Sequence, residues 1–121
     1  MITRIEKFID VAKPISMGID RKKKHCSLII HKNNVISVGT NHFKTHPKAK
    51  EIGYRYDEVH SELDALLRCK QRGGLTLVNV RFNRFGDMRI ARPCRLCMPW
   101  CKMMFDKIYF TTPEGIERLE Y

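Results

Sequence analysis

The chain has 121 residues, of which 43% are hydrophobic, and this predicts one soluble domain with a single core. No apolar run approaches the length of a membrane-spanning helix, so the sequence predicts no membrane association. Lysine and arginine number 23 against 13 aspartates and glutamates, and the net charge of +10 favours anionic partners such as nucleotides or nucleic acid.

The N-terminal segment predicts a short helix and no secretion signal. Thr3 and Glu6 have the spacing of a capping box, and apolar residues then follow with helical periodicity. Pro14 is expected to end this helix near Lys13. Because residues 1–8 lack a continuous apolar core, we expect a cytoplasmic protein. In that reducing compartment the five cysteines would be thiols or metal ligands rather than disulfides.

Two short β-branched runs predict a β-hairpin. Residues 26–31 and 35–40 would pair through a turn at residues 32–34, where asparagine tolerates the positive φ of tight turns. The polar stretch that follows, residues 41–56, is expected to form a long loop. Loops of that length inside compact domains are commonly functional.

The second half of the chain alternates helices with strands. A helix is expected from Asp57 to about Arg72, with its inward face formed by Val59, Leu63, Leu66, Leu67 and Cys69. The later predicted elements are a strand at 75–82, a helix at 93–105, a strand at 107–111 and a short strand at 116–121. This alternation predicts a single α/β domain over residues 1–121. Its central mixed sheet of about five strands would be covered by helices on both faces, in three α-β-α layers.

A His-Ser-Glu triplet at 60–62 and a Pro-Cys-Arg-Leu-Cys segment at 93–97 carry the candidate chemistry. Together they supply one imidazole, two thiols and one carboxylate, in an order that suits a catalytic zinc site. Three protein ligands leave a fourth position for water, and a carboxylate outside the ligand set can move that water's protons. The expected Zn²⁺ ligands are His60, Cys94 and Cys97. Glu62 is the expected catalytic acid and base.

The same residues have alternative interpretations. Cys94 and Cys97 alone could form a redox pair or half of a structural zinc knuckle, to which Cys101 would add a further ligand. A closed four-ligand site would leave Glu62 without a role, so we favour catalytic zinc. The remaining cysteines, Cys26 and Cys69, are most simply small buried hydrophobic residues.

The sequence resembles the zinc-dependent cytidine and deoxycytidylate deaminase superfamily. The resemblance rests on Gly-Thr-Asn at 39–41, on the two motif segments, and on the order of elements from about Cys26 onward. It departs from the family at Ser61, where alanine is usual, and at Arg92, where a small or acidic residue is usual. The resemblance implies a cytidine deaminase-like fold and hydrolytic deamination of a base, with Glu62 moving the protons.

Further expectations follow from this resemblance. Asn41 would hydrogen-bond the sugar or base, and the backbone carbonyl of Ser61 would accept a hydrogen bond from the exocyclic amine. The family also implies a homo-oligomer, because its members often complete their pockets across subunit contacts.

Aromatic and basic residues in the long loop bear on the substrate. Phe43 could stack on a base, and Lys44 and Arg55 could bind a phosphate, with Lys48 and Lys50 nearby in sequence. Our first hypothesis is an enzyme acting on cytidine, deoxycytidine or deoxycytidine monophosphate. The first alternative is a deaminase of cytosine or adenosine in single-stranded DNA or RNA. The second is a non-enzymatic zinc-stabilised binding module. The short segment after the fourth strand favours the first hypothesis, because it resembles compact cytidine deaminases whose last two strands are antiparallel.

Overall fold

A computed structural model describes residues 5–19, 24–41 and 60–121. The described elements, in chain order, are α1 (Glu6–Met17), β1 (Lys24–His31), β2 (Asn34–Thr40), α2 (Ser61–Arg68), β3 (Thr76–Phe82), α3 (Met98–Met104), β4 (Lys107–Thr112) and β5 (Gly115–Arg118). The predicted α/β class is confirmed. None of the helices within these ranges is long and apolar enough to cross a membrane.

The five strands form one mixed sheet in the order β2-β1-β3-β4-β5. β1 is antiparallel to both β2 and β3, and β4 is antiparallel to β5. β3 and β4 are parallel, and a parallel pair needs a crossover connection. That crossover includes α3 and the Pro-Cys-Arg-Leu-Cys segment, so the pairing of these two strands positions the cysteines.

Helices cover both faces of the sheet. Phe8 and Ala12 of α1 pack on one face, against apolar residues of β1 and β3 such as Leu28 and Val80. On the other face, residues of α2 and α3 pack against the alternate side chains of β1, β3 and β4; they include Leu63, Ala65, Cys101, Ile29, Leu77 and Ile108. Because β1 is buried on both faces, its buried residues, 26–30, are all apolar except Ser27. The predicted three-layer α-β-α arrangement is confirmed.

The first helix does not end at Lys13, as the sequence predicted, but continues through Pro14 to Met17. Pro14 has no N–H to donate to the carbonyl of Asp10. Both residues are exposed, so water can hydrogen-bond to that carbonyl instead. The last turn is also anchored, because the buried hydroxyl of Ser16 donates to the carbonyl of Lys24 at 2.6 Å. Thr3, the predicted capping residue, lies outside the described residues.

The predicted hairpin is confirmed. His31 pairs directly with Asn34, so the turn between β1 and β2 consists of two residues, Lys32 and Asn33. Both have positive φ, 50° and 68°, which identifies the type I′ turn favoured in two-residue hairpins. The hairpin fixes the strand that ends at Thr40 and Asn41, next to the candidate site.

Two further helix boundaries differ from the prediction. α2 begins at Ser61, with His60 as an extended N-cap residue, and it ends at Arg68 rather than near Arg72. Leu67, predicted to face inward, is 40% exposed, because it lies in the last turn of a helix whose buried residues are its first five, 61–65. Asp57 and Val59 lie outside the described residues. α3 begins at Met98 rather than Pro93. Pro99 has no N–H to donate to the carbonyl of Arg95, so the helix does not extend back to Pro93.

Candidate metal centre

Two chain segments bring the predicted metal ligands together. His60 immediately precedes α2, and its extended backbone lets its carbonyl accept the N–H of Asp64 at 3.0 Å. Cys94 and Cys97 enclose a tight turn in which the Cys94 carbonyl accepts the N–H groups of Cys97, at 3.0 Å, and Met98, at 2.8 Å. The turn therefore takes the place of the predicted helix start and still brings both thiols to His60.

The distances between the ligand atoms suit one small metal ion. The Nδ1 atom of His60 lies 3.4 Å from the sulfur of Cys97 and 3.7 Å from that of Cys94. All three ligand atoms lie within 4.8 Å of one another. Tetrahedral zinc with ordinary Zn–S and Zn–N bond lengths places such nitrogen and sulfur atoms about 3.6 Å apart. The three residues could therefore hold zinc, and His60 would use Nδ1.

Cys101 does not join this group. Its side chain is fully buried in the apolar cluster formed by α2, α3 and the sheet. Among the described residues, the group of potential ligand atoms contains only His60, Cys94 and Cys97. Three ligands are typical of catalytic zinc, whereas structural zinc usually has four. The remaining two cysteines, Cys26 and Cys69, are buried, as expected of small hydrophobic residues.

Glu62 lies in the first turn of α2 and is only 5% exposed. Its Oε1 atom accepts a hydrogen bond from the hydroxyl of Ser61 at 2.9 Å. A buried carboxylate needs hydrogen-bond donors to replace water, and Ser61 supplies one. Glu62 is thus a buried carboxylate two residues after His60, although it is not a member of the metal-ligand group.

The predicted substrate contacts are described only in part. Asn41 uses its Oδ1 to accept the backbone N–H of His25 at 3.0 Å, which ties the end of β2 to the start of β1. The carbonyl of Ser61 faces Gly39 on β2. The loop residues Phe43, Lys44, Lys48, Lys50 and Arg55 lie outside the described residues, so their role stays a prediction.

Asp64, which was not predicted from the sequence, connects α2 to β2. Its carboxylate is buried and accepts the backbone N–H of Thr40 at 3.0 Å and the Nε–H of Arg68 at 3.2 Å. The spacing of Asp64 and Arg68, four residues apart on a helix, was the available signal. The contact fixes the strand end next to Asn41 relative to the helix that carries Glu62.

Two buried polar residues of the sheet were also missed. Ser27 and Asn79 are 0% and 3% exposed, and they lie on β1 and β3 among apolar neighbours. Polar side chains in such strands are costly to bury unless they are hydrogen-bonded. Their place within otherwise apolar runs was therefore a usable signal for a buried polar site.

The cysteines differ in acidity, and this provides a test of the site. The hydrogen bond from the side chain of Cys97 is the main cause that lowers the pKa of Cys94 to about 3; His60 adds to the effect and burial opposes it. Burial raises the pKa of Cys26 to about 12 and also raises that of Cys101. A thiolate reacts with alkylating reagents and a thiol does not.

We therefore expect iodoacetamide to modify Cys94 of the metal-free protein even at about pH 6, well above the lowered pKa and below the raised ones. Cys26 and Cys101 should stay unmodified in the folded protein. Peptide mass mapping after timed alkylation would measure this, and added zinc should protect Cys94. Equal labelling of Cys94 and Cys26 at this pH would contradict the arrangement of the site.

Comparisons with known proteins assign this chain to no family. None of the protein-family models that were searched matches it, and no curated protein is significantly similar to it. The metal-ligand group and the buried carboxylate of Glu62 are therefore the observations on which a proposed function rests.

Proposed function

We propose that this chain is a zinc-dependent hydrolytic deaminase that converts the cytosine of a nucleoside or nucleotide to uracil and releases ammonia. One observation carries the proposal: the group of three potential zinc ligands includes His60, and the buried carboxylate of Glu62, two residues further along the chain, is outside the group. The sequence resemblance to cytidine and deoxycytidylate deaminases supports the same reaction.

The ligand group favours catalysis over a structural role. His60, Cys94 and Cys97 use three positions of a tetrahedral ion, and the fourth ligand that a structural site needs is not supplied by Cys101, the nearest candidate in sequence. Zinc held there would supply an activated water as the nucleophile.

Glu62 supplies the proton transfers that the reaction requires. Water adds its oxygen to C4 of cytosine, while its protons go to the ring nitrogen and to the departing amine. The C4–N4 bond then breaks, and ammonia leaves. A carboxylate that is not a metal ligand can accept and return these protons. Its burial keeps it in one orientation, since it accepts a hydrogen bond from Ser61.

Two features favour a free nucleoside or nucleotide as the substrate. β4 and β5 pair in an antiparallel manner, as in the compact cytidine deaminases that the sequence resembles. The net charge of +10 suits an anionic ligand such as a monophosphate. Asn41 is our candidate for contact with the sugar or base, Phe43 for stacking, and Lys44 and Arg55 for the phosphate. We also propose that the chain forms a homo-oligomer, in which a second copy completes the substrate pocket.

A polynucleotide is the second candidate substrate, and one observation favours it. The connection from β3 to the cysteine turn exposes cationic and aromatic side chains. Phe85 is 74% exposed, and the guanidinium of Arg84 lies 4.8 Å from the centre of its ring. Arg92 and Arg95, on either side of Cys94, are exposed as well. Single-stranded nucleic acid binds to surfaces that combine cations with aromatic rings.

An ammonia-release assay tests the proposal. Zinc-loaded protein would be incubated separately with cytidine, deoxycytidine, their monophosphates and a cytosine-containing single strand. We expect turnover of at least one free nucleoside or nucleotide. The matched control is Glu62→Gln, which should keep its zinc and lose about 10²- to 10⁴-fold in kcat, because glutamine cannot transfer protons.

Each outcome of the assay has a definite meaning. Turnover of the single strand alone would replace the first substrate class with the second. No turnover by a zinc-loaded protein, on any of these substrates, would favour a zinc-stabilised binding module. Full activity of Glu62→Gln would refute the role of the carboxylate.

A further inference from the structure

A line of buried polar side chains runs from Glu62 into the sheet. The hydroxyls of Ser61 and Ser27 lie 2.8 Å apart, and the hydroxyl of Ser27 reaches the Oδ1 atom of Asn79 at 2.5 Å. The Nδ2 atom of Asn79 in turn donates to the carbonyl of Ala91 at 3.3 Å. With the bond from Ser61 to Glu62, four consecutive contacts connect the carboxylate to the chain just before the cysteine turn. Ser27 has a single hydroxyl proton, so at any one time it donates either to Ser61 or to Asn79.

The backbone geometry brings these groups together. Ser27 and Asn79 are direct partners across the β1–β3 ladder. In each strand the residue two positions away, Ile29 or Leu77, belongs to the core cluster under α2 and α3, so the polar pair faces the same layer. Ser61, in the first turn of α2, contacts Ser27 from the helix layer that covers this face of the sheet. All three polar residues are at most 3% exposed.

Such a line would be dispensable if packing were its sole purpose. Alanine or valine would fill the same positions in the sheet without the need to satisfy buried hydroxyl and amide groups. The line instead connects the two segments of the metal centre: one end contacts Glu62, and the other holds Ala91, whose N–H also binds the carbonyl of Thr111 on β4 at 2.9 Å.

We infer that Ser61, Ser27 and Asn79 are positioning residues, and that they hold the Glu62 carboxylate at a fixed place relative to the cysteine turn. This inference rests on the proposed function for its kinetic part. Ser61 acts directly on the carboxylate, and Ser27 acts through Ser61. Since an acid–base group is effective only within hydrogen-bond reach of the proton that it moves, loss of the line lowers kcat and leaves substrate binding almost unchanged.

Alanine substitutions with a matched control test the inference. Ser61→Ala is expected to lower kcat by about 10- to 100-fold, the value of one hydrogen bond to a charged group, with little change in KM or zinc content. Ser27→Ala should lower kcat less. The control is Ser37→Ala, since Ser37 is a buried serine of β2 whose hydroxyl also binds α2, at the carbonyl of Ala65, 2.7 Å away. It should leave kcat unchanged.

Two further variants separate positioning from folding. Ser61→Thr keeps the hydroxyl and should recover most of kcat. The double variant Ser27→Ala/Ser61→Ala should have the kcat of Ser61→Ala alone, because both residues act along one line. Additive losses, or an equal loss in Ser37→Ala, would show a general structural effect and overturn the inference.

A measurement without substrate keeps this test independent of the proposed reaction. The ¹³Cδ resonance of Glu62 in the metal-free protein should shift in Ser61→Ala and, in the same direction, in Ser27→Ala, but not in Ser37→Ala. An unchanged resonance in Ser27→Ala would overturn the inference even if the wild type is active. The expected shifts in a protein without turnover would support the positioning and refute only the proposed function.

Discussion

Cys97→Ala is expected to lower zinc affinity by more than about 100-fold, because loss of an indirect partner of a metal site already costs about 10- to 100-fold. The Cys97 sulfur lies closest to His60 Nδ1, at 3.4 Å, and its hydrogen bond is also the main support of the Cys94 thiolate. The substitution therefore removes one ligand and weakens another. Competition with a chromophoric chelator would measure the affinity, and the ammonia-release assay should show a matching loss of turnover.

Cys101→Ala is the matched control for this prediction. Cys101 follows Cys97 by one helical turn, and both side chains are fully buried. We expect this variant to bind one zinc ion with nearly wild-type affinity, although the small cavity will lower its stability. A loss of zinc equal to that of Cys97→Ala would instead identify a four-ligand structural site and contradict the open coordination position.

Gly39→Ala is expected to destabilise the fold by about 3 kcal/mol, the upper end of the cost of overpacking. A Cβ atom at Gly39 would overlap the N atom of Ala65 and the carbonyl oxygen of Ser61, and would lie 2.8 Å from the Cα of Ala65. These are backbone atoms of α2, so they cannot turn away as a flexible side chain can. Urea denaturation of the metal-free protein would give the free energy of unfolding.

Gly18→Ala provides the comparison. Gly18 has φ −76°, which any residue adopts, and the atoms nearest to an added Cβ are 3.4 Å away. Its free energy of unfolding should stay within about 1 kcal/mol of the wild type. Gly39→Ala should also weaken zinc binding, because α2 follows His60 directly. Equal stability of the two variants would mean that α2 does not approach β2 as closely as described.

Local sequence patterns predicted most of the sheet. The apolar runs of β1, β3 and β4 predicted the ends of those strands to within two residues. The asparagines after β1 predicted the hairpin turn, which lies at Lys32 and Asn33. Helix ends were predicted less well, since they depend on distant contacts. The last turn of α1 persists beyond Pro14 because Ser16 is anchored to Lys24 across the next connection. No local pattern contains that contact.

In the candidate site too, the residues with a local sequence pattern were predicted and those that depend on distant contacts were not. His60, Cys94 and Cys97 were predictable because the residue types and their spacing match the requirements of one ion. Asp64, Ser27 and Asn79 were not predicted, because their roles depend on contacts between segments far apart in sequence; the bond from Ser27 to Asn79 spans 52 residues. The predicted substrate residues of the 41–56 loop, except Asn41, lie outside the described residues and remain predictions.

The parallel pairing of β3 with β4 has a consequence for synthesis of the chain. The hairpin of β1 and β2 is local and can form as soon as it leaves the ribosome. Cys94 and Cys97 lie in the crossover between β3 and β4, and their position is fixed only when β4 has been made and has joined the sheet. The group of metal ligands therefore forms later than the hairpin, once β4 has been synthesised and has paired with β3.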